Sequence, residues 1–398
     1  MSPVNEWLAL GRAMPSVSHP GWREKAEHWL VRDPGTIVLQ PTSLCPLACT
    51  YCYLPQRHLK QEMSPATARV VASGIVPQWS SRKPVEVVWH GGETLALGRA
   101  KLSQLLDNFE PLRLAGYILH KIQTGATLIT DEWCEFFDQY DVAVGVSIDG
   151  PRSANRQRVD RGGHPAFDHI MSGITTLKKN GIPFTALSVV NHDNVNSAHE
   201  VLDFLAELGC SWIGLNLEAR ESANANGDIL TPDQARQFWR HTFTWSQQNP
   251  GMKIREIERL LGFLALDPTV RDSDAQHDLI PTIGWNGDVI LLSPELLGVS
   301  DPHYHDFIAG NVHSDPLSTI LERAPTLAYV QEFIVGLERC KASCEFFTYC
   351  QGAHAGNRYF EHEIFSATET EHCRTSFQAP VLALADLMET GADGHDHP

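Results

Sequence analysis

Cys45, Cys49 and Cys52 stand together in "LCPLACTYCYLPQR", spaced C-x₃-C-x₂-C, and the next cysteine along the chain is Cys134. A closed structural zinc site takes four ligands. A cubane iron–sulfur cluster normally takes four cysteines. Three thiolates leave either site one ligand short. On zinc, a distant protein group has to fill the gap. On a cluster, one iron stays open, and an open iron can bind a small molecule and pass it an electron. A disulfide reading fails on compartment: nine cysteines behind an N-terminus with no leader pattern point to the reducing cytosol, and an odd count cannot pair fully.

A second set follows near the C-terminus. Cys340, Cys344, Cys350 and Cys373 fall within "ERCKASCEFFTYCQGAHAGNRYFEHEIFSATETEHCR". Four thiols in one short stretch of a reduced protein are a metal-binding pattern, with zinc the first expectation from the cysteines alone. Cys134 ("EWCEFF") and Cys210 ("LGCSW") sit in apolar settings and read as inert buried thiols.

The elements that must position these residues are legible as alternating strands and helices. Apolar runs at 36–40, 85–89, 117–123, 142–148, 184–190 and 212–218 are separated by amphipathic stretches such as "SAHEVLDFLAELG". Such βα units predict an α/β fold, a partial (β/α)₆ TIM-like barrel of parallel strands with a lateral opening. Chemistry in such sheets gathers at the carboxyl ends of the strands. Cys45 follows the first run, "HGGE" (90–93) the second, "QTGA" (123–126) the third and "SIDG" (147–150) the fourth. Four polar, glycine-rich strand ends in succession favour a site over ordinary turns.

The predicted organisation is an N-terminal segment 1–35, the barrel 36–225, a helical connector 226–280 without reactive clusters, a cysteine-bearing extension 281–378, and a C-terminal helix with a disordered tail 379–398. "NGD" at 286–288 reads as a hairpin turn in that extension. A net charge of −17 makes a phosphate-backbone binder a poor reading, so no nucleic-acid partner is expected. The N-terminus has no signal-peptide pattern, and no run of eighteen apolar residues exists, so a cytoplasmic chain with no membrane partner is expected.

"LQPTSLCPLACTYCYLPQR", with Tyr51 ahead of Cys52, resembles the cluster loop of the radical S-adenosylmethionine (SAM) enzymes. The resemblance implies a [4Fe–4S] cluster on Cys45, Cys49 and Cys52 whose open iron chelates SAM and cleaves it to a 5′-deoxyadenosyl radical. It also implies SAM contacts from Tyr51, from Gly91, Gly92 and Glu93 (the family's "GGE", set on the SAM amino group), and from Thr124. Ser147 and Asp149 are expected to face the ribose and carboxylate. Arg158 is expected on that carboxylate, a task suited to a bidentate fork. Where relatives end strand three with "TNG", this chain has Thr124, Gly125 and Ala126, so the Asn side chain is absent.

The C-terminal stretch resembles the SPASM extension of radical SAM enzymes that modify peptides, which implies an auxiliary [4Fe–4S] cluster on Cys340, Cys344, Cys350 and Cys373. No cysteine lies between Cys210 and Cys340, and His354 stands where relatives often carry one, so one auxiliary cluster is expected rather than two. Together with "WHGGETL", "SPELLG" and "TETEHCR", the motifs look most like the cyclophane-forming, GrrM/OscB-like peptide maturases. That likeness implies a carbon–carbon cross-link between an aromatic side chain and a neighbouring β-carbon of a ribosomal precursor peptide. An electron donor such as flavodoxin or ferredoxin is implied as a further partner. Losing the ring proton requires a base, for which Glu218, Glu221, Glu295 and His354 are the candidates. The precursor is expected to dock in extended form near the "NGDVILL" hairpin or the segment before Thr36. Two other readings stay open: a side-chain oxidase like the anaerobic sulfatase-maturating enzymes, and a non-enzymatic metal-binding protein.

Overall fold

The structure is a computed structural model that describes residues 21–392, apart from 77–78, 80–82 and 226. Six parallel strands carry the fold: β1 (Thr36–Gln40), β2 (Val85–Trp89), β3 (Ile118–Thr124), β4 (Val142–Ser147), β5 (Phe184–Val190) and β6 (Trp212–Leu217). All lie within a residue of the predicted runs. Their order is sequential, and each is followed by a helix that returns the chain to the start of the next strand. β1 reads "TIVLQ", with Ile37, Val38, Leu39 and Gln40 all buried, as expected of a strand covered on both faces. β2 and β3 alternate instead, burying Val85, Val87 and Trp89, and Ile118, His120 and Ile122.

The sheet extends beyond the six predicted strands at both edges. β7 (Lys253–Ile254) adds in parallel to β6. At the other edge β8 (Thr282–Gly284) pairs in parallel with β1, then β9 (Asp288–Ile290) and β10 (Gly310–Asn311) continue antiparallel. The observed order is β10-β9-β8-β1-β2-β3-β4-β5-β6-β7. The predicted hairpin is thus part of the main sheet rather than a separate layer. Its three-residue turn, 285–287, closes on Gly287 at φ 88°, which a Cβ would strain.

The C-terminal part is helical. Ala328–Ser343 leads into the short helices Phe347–Cys350, Ala355–His362 and Glu371–Cys373, a π-helical turn at Arg374–Gln378, and a last helix Ala379–Ala392. The last helix packs on the helix Pro232–Gln248, held by Arg236 on Asp386. That helix starts with a capping box in which Thr231 accepts from Gln234 N while the Gln234 side chain accepts from Thr231 N. The predicted tail falls largely on 393–398, and 1–20 of the predicted N-terminal segment are likewise outside the described residues. Among the described residues no helix is long and apolar enough to cross a membrane.

Candidate active site

The loop after β1 is fastened by backbone and arginine contacts. Cys45 N donates to Arg57 O at 3.0 Å, Arg57 Nη1 donates to Cys49 O at 2.9 Å, and Arg161 Nε donates to Cys45 O at 3.0 Å. Cys45, Cys49 and Cys52 all line one cavity of about 600 Å³ at the carboxyl ends of the strands. Burial pushes the Cys45 thiol up to about 12, and the nearby charges of Glu93, Cys49 and Cys52 push the same way. Buried thiols in that state ionise when a metal supplies the compensating charge.

The glycines after β2 are there for close approach. A Cβ on Gly92 would come 2.5 Å from Leu44 O, and Gly92 N and Glu93 N donate to Thr42 O and Leu44 O at 3.0 and 2.8 Å. The turn therefore packs its backbone against the cysteine loop. Glu93 lies in the cavity wall beyond it. Its carboxylate accepts from Thr124 Oγ1 and Gly125 N at 2.8 Å each and from Leu95 N at 3.2 Å. No cation is paired with it among the described residues, and burial raises its pKa. A buried carboxylate without a cation, beside three thiols, is the environment an incoming ammonium group would complete.

Asp149 stands just behind the cavity wall: its carboxylate accepts from Arg158 Nε and Nη2 at 3.0 and 2.8 Å, from the Tyr51 hydroxyl at 2.6 Å and from Val189 N at 2.9 Å. Arg158 and Tyr51 do reach the cavity, but the guanidinium fork and the phenol are turned on Asp149 rather than left for a ligand. Ser147 lines the cavity and accepts from Gln123 Nε2 at 2.8 Å.

The opposite wall is acidic and aromatic. Glu218, Glu221, Glu295 and His354 line it, so all the candidate bases share one space. Glu218 accepts from Asn224, and burial raises its pKa. Glu221 accepts from Asn357 Nδ2 at 2.9 Å, and burial, reinforced by the charge of Glu295, lifts its carboxyl to about 8. Tyr53 and His90, 3.3 Å apart, sit beside them, and burial keeps the imidazole neutral. Residues of the helical connector also enter: Trp239, Arg255, Glu256 and Arg259 line the cavity. Periodicity reveals that such a helix has a buried face, but not that the face meets a site.

The four C-terminal thiols are also brought together. Burial pushes Cys350 up to about 12, and negative charge on Cys373, Cys344 or Cys340 would push it further. Cys340 lies in the last turn of the long helix, Cys344 caps it, and Cys350 and Cys373 end the short helices Phe347–Cys350 and Glu371–Cys373. Arg358, only 1 % exposed, donates from Nη2 to Cys340 Sγ at 3.4 Å. His354, Asn357, His372 and Phe377, from the same segment, reach the first cavity. His372 is kept neutral by burial and by neighbouring His354, its pKa lowered to about 3. Among the described residues no group of three or more His, Cys, Asp or Glu converges closely enough to hold a single metal ion.

Residues 39–205 match the family model described as the radical SAM superfamily. An uncharacterized protein of Synechocystis sp. is 30 % identical over 372 residues, 89 % of this chain and 92 % of that protein. This chain belongs to the radical SAM superfamily. A serine-type anaerobic sulfatase-maturating enzyme of Bacteroides thetaiotaomicron is 27 % identical over 358 residues, covering 82 % of this chain and 84 % of that enzyme. Among solved structures, native anSMEcpe with bound AdoMet superposes with a TM-score of 0.72 at 19 % identity, over 90 % of this chain and 99 % of that one. Streptococcus suis SuiB bound to precursor peptide SuiA gives 0.64 at 16 % identity, over 92 % and 85 %. As a radical SAM enzyme, the chain uses a [4Fe–4S] cluster and SAM. The residues present fit them: three thiols on one cavity wall able to hold a cluster with one iron open, and Glu93 awaiting an ammonium.

Proposed function

We propose that this enzyme is a peptide maturase that installs a cyclophane-type carbon–carbon cross-link between an aromatic side chain and a nearby β-carbon of a ribosomally made precursor. The observation that carries the reading is the single cavity running from Cys45, Cys49 and Cys52 to His354, Asn357, His372 and Phe377 beside the second thiol set. The SuiB structure with its precursor peptide and the sulfatase-maturating relatives support a peptide as the substrate.

When bound, the cluster and SAM supply hydrogen-atom abstraction at an unactivated carbon. The chain's own residues do the rest. Glu93 orients the SAM ammonium, with Tyr51, Gly91, Gly92, Thr124, Ser147 and Arg158 shaping that end of the cavity. Trp239, Leu215, Leu217 and Phe377 give the wall an apolar face that excludes water. Glu218, Glu295 and His354 are the groups placed to take the ring proton. Cys340, Cys344, Cys350 and Cys373 would hold the auxiliary [4Fe–4S] cluster. A second cavity of about 320 Å³ lies against the predicted docking hairpin, lined by Trp285, Asn286, Asp288 and Ile290 and by Leu54 and Pro55 of the cysteine loop.

The identity to a sulfatase-maturating enzyme over most of both chains favours a second reading, oxidation of one side chain. Tandem mass spectrometry of precursor peptide treated with enzyme, SAM and reductant separates the two. A cross-link leaves a short window in which backbone fragments are missing. An unbroken fragment ladder with one altered residue overturns the cross-link reading.

A further inference from the structure

Arg358 is a buried guanidinium with no carboxylate. Its polar contacts are Cys340 Sγ at 3.4 Å and Gly352 O at 2.7 Å from Nη2, and Phe365 O at 3.2 Å from Nη1. Its face lies over the Phe333 ring at 5.2 Å. No Asp or Glu pairs with it among the described residues, although Arg158, the buried guanidinium of the other thiol set, has Asp149. The space is made for it. A Cβ on Gly336 would fall 2.0 Å from Nη1, and one on Gly352 would fall 3.3 Å from Nη2. A charge taken this far out of water is costly unless an opposite charge meets it. Two carbonyls solvate its N–H groups but leave the charge itself unmatched.

The anions available are the cysteine thiolates. One of them, Cys340 Sγ, lies 3.4 Å from Arg358 Nη2. Four thiolates around a cubane cluster carry net negative charge, and the potential of such a cluster is set by net charge, hydrogen bonds to sulfur and burial. Arg358 acts on all three: a fixed positive charge, an N–H directed at a ligand sulfur, and bulk that keeps water out.

We propose that Arg358 is the built-in counter-charge of the C-terminal cluster, a positioning and tuning residue that raises the cluster's reduction potential and so suits it to receive an electron from substrate. The electron is the one a cross-linked ring must give up, along with its proton, to regain aromaticity. This rests on the reading of Cys340, Cys344, Cys350 and Cys373 as cluster ligands.

The test is potentiometric, on anaerobically reconstituted full-length enzyme, with iron and zinc counted in every sample. Arg358→Gln removes the charge. Arg358→Lys keeps it on a group that cannot reach sulfur and both carbonyls together. The expected result is a C-terminal cluster potential that moves negative in Arg358→Gln and by less in Arg358→Lys, with the N-terminal cluster unmoved as the internal reference. Selective loss of the C-terminal iron, with the N-terminal iron retained, also supports the proposal. Wild-type potentials and full iron in both variants overturn it. If Arg358→Gln does not fold, Arg358→Met, which removes the charge but keeps much of the bulk, takes its place, and a wild-type potential in that iron-replete variant overturns it. Zinc in place of iron at the C-terminal site in the wild-type protein overturns the ligand reading itself, and the proposal with it.

Discussion

Arg158 grips both carboxylate oxygens of Asp149, Nε on Oδ2 at 3.0 Å and Nη2 on Oδ1 at 2.8 Å, and both side chains are buried. Tyr51, from the cysteine loop, closes the group by donating its hydroxyl to the same carboxylate. The pair therefore ties the strand-four motif to the loop that carries the thiols. Breaking a buried ion pair by removing one partner costs about 3–5 kcal/mol. Asp149→Asn should lower unfolding stability by that order in denaturant titration and loosen the cysteine loop. A loss below about 1 kcal/mol would show that the pair is dispensable.

Glu93→Gln should weaken SAM binding roughly tenfold to a hundredfold, the about 1.5–3 kcal/mol of a charge-assisted hydrogen bond. Calorimetric titration of the reconstituted enzyme with SAM measures it. Because Glu93 also accepts from Thr124 and Gly125, thermal stability should fall modestly in the same variant. Unchanged SAM affinity would leave Glu93 as a brace between two strand ends.

The two thiol sets should be separable. Cys45→Ala, Cys49→Ala or Cys52→Ala should abolish SAM cleavage. Cys373→Ala should leave SAM cleavage largely intact and stop product formation. Iron analysis should read about eight atoms per wild-type chain, from two four-iron clusters, and about four in Cys373→Ala. Equal SAM cleavage in all four variants would refute the assignment of the first set.

Glu221 predicts a pH effect. Its folded pKa is about 8 against an ordinary value of 4.5, with burial the first cause and Glu295 the second. The folded chain therefore holds a proton that the unfolded chain releases between those values. This contribution to stability is fully present below pH 4.5 and is lost as pH rises through 8. Glu221→Gln, which can still accept from Asn357, should flatten the decline in Tm between pH 5 and pH 8 relative to wild type. Parallel wild-type and variant curves would mean that Glu221 is ionised throughout.

The six central strands were legible because each is a short apolar run bounded by turn residues, and the "GGE" and cysteine loops were legible because their residue types are rare at that spacing. For Asp149 and Arg158 the motif gave expected SAM contacts but not the pairing of the two side chains with each other. Nothing in "SIDGPRSANRQR" says that a side chain nine positions on folds back to saturate the aspartate. Arg358 and Trp239 were missed for a related reason. One sits in a polar helical stretch that reads as exposed, the other in a helix that reads as a connector. Their roles are set by what packs over them: Cys340 in one case, and in the other the Thr375 carbonyl, which accepts from Trp239 Nε1 at 2.9 Å. Such contacts across the fold leave no local trace in the sequence.

β1 is flanked on one side by β2 and on the other by β8, whose residues come more than 240 positions later than its own. During synthesis, then, the strand that leads into the cysteine loop stands with one edge unpaired until residues 282–284 have left the ribosome, and the helices bearing the second thiol set come later still. A nascent chain stalled before β8 therefore offers a bare strand edge, next to the cysteine loop, to chaperones or to aggregation.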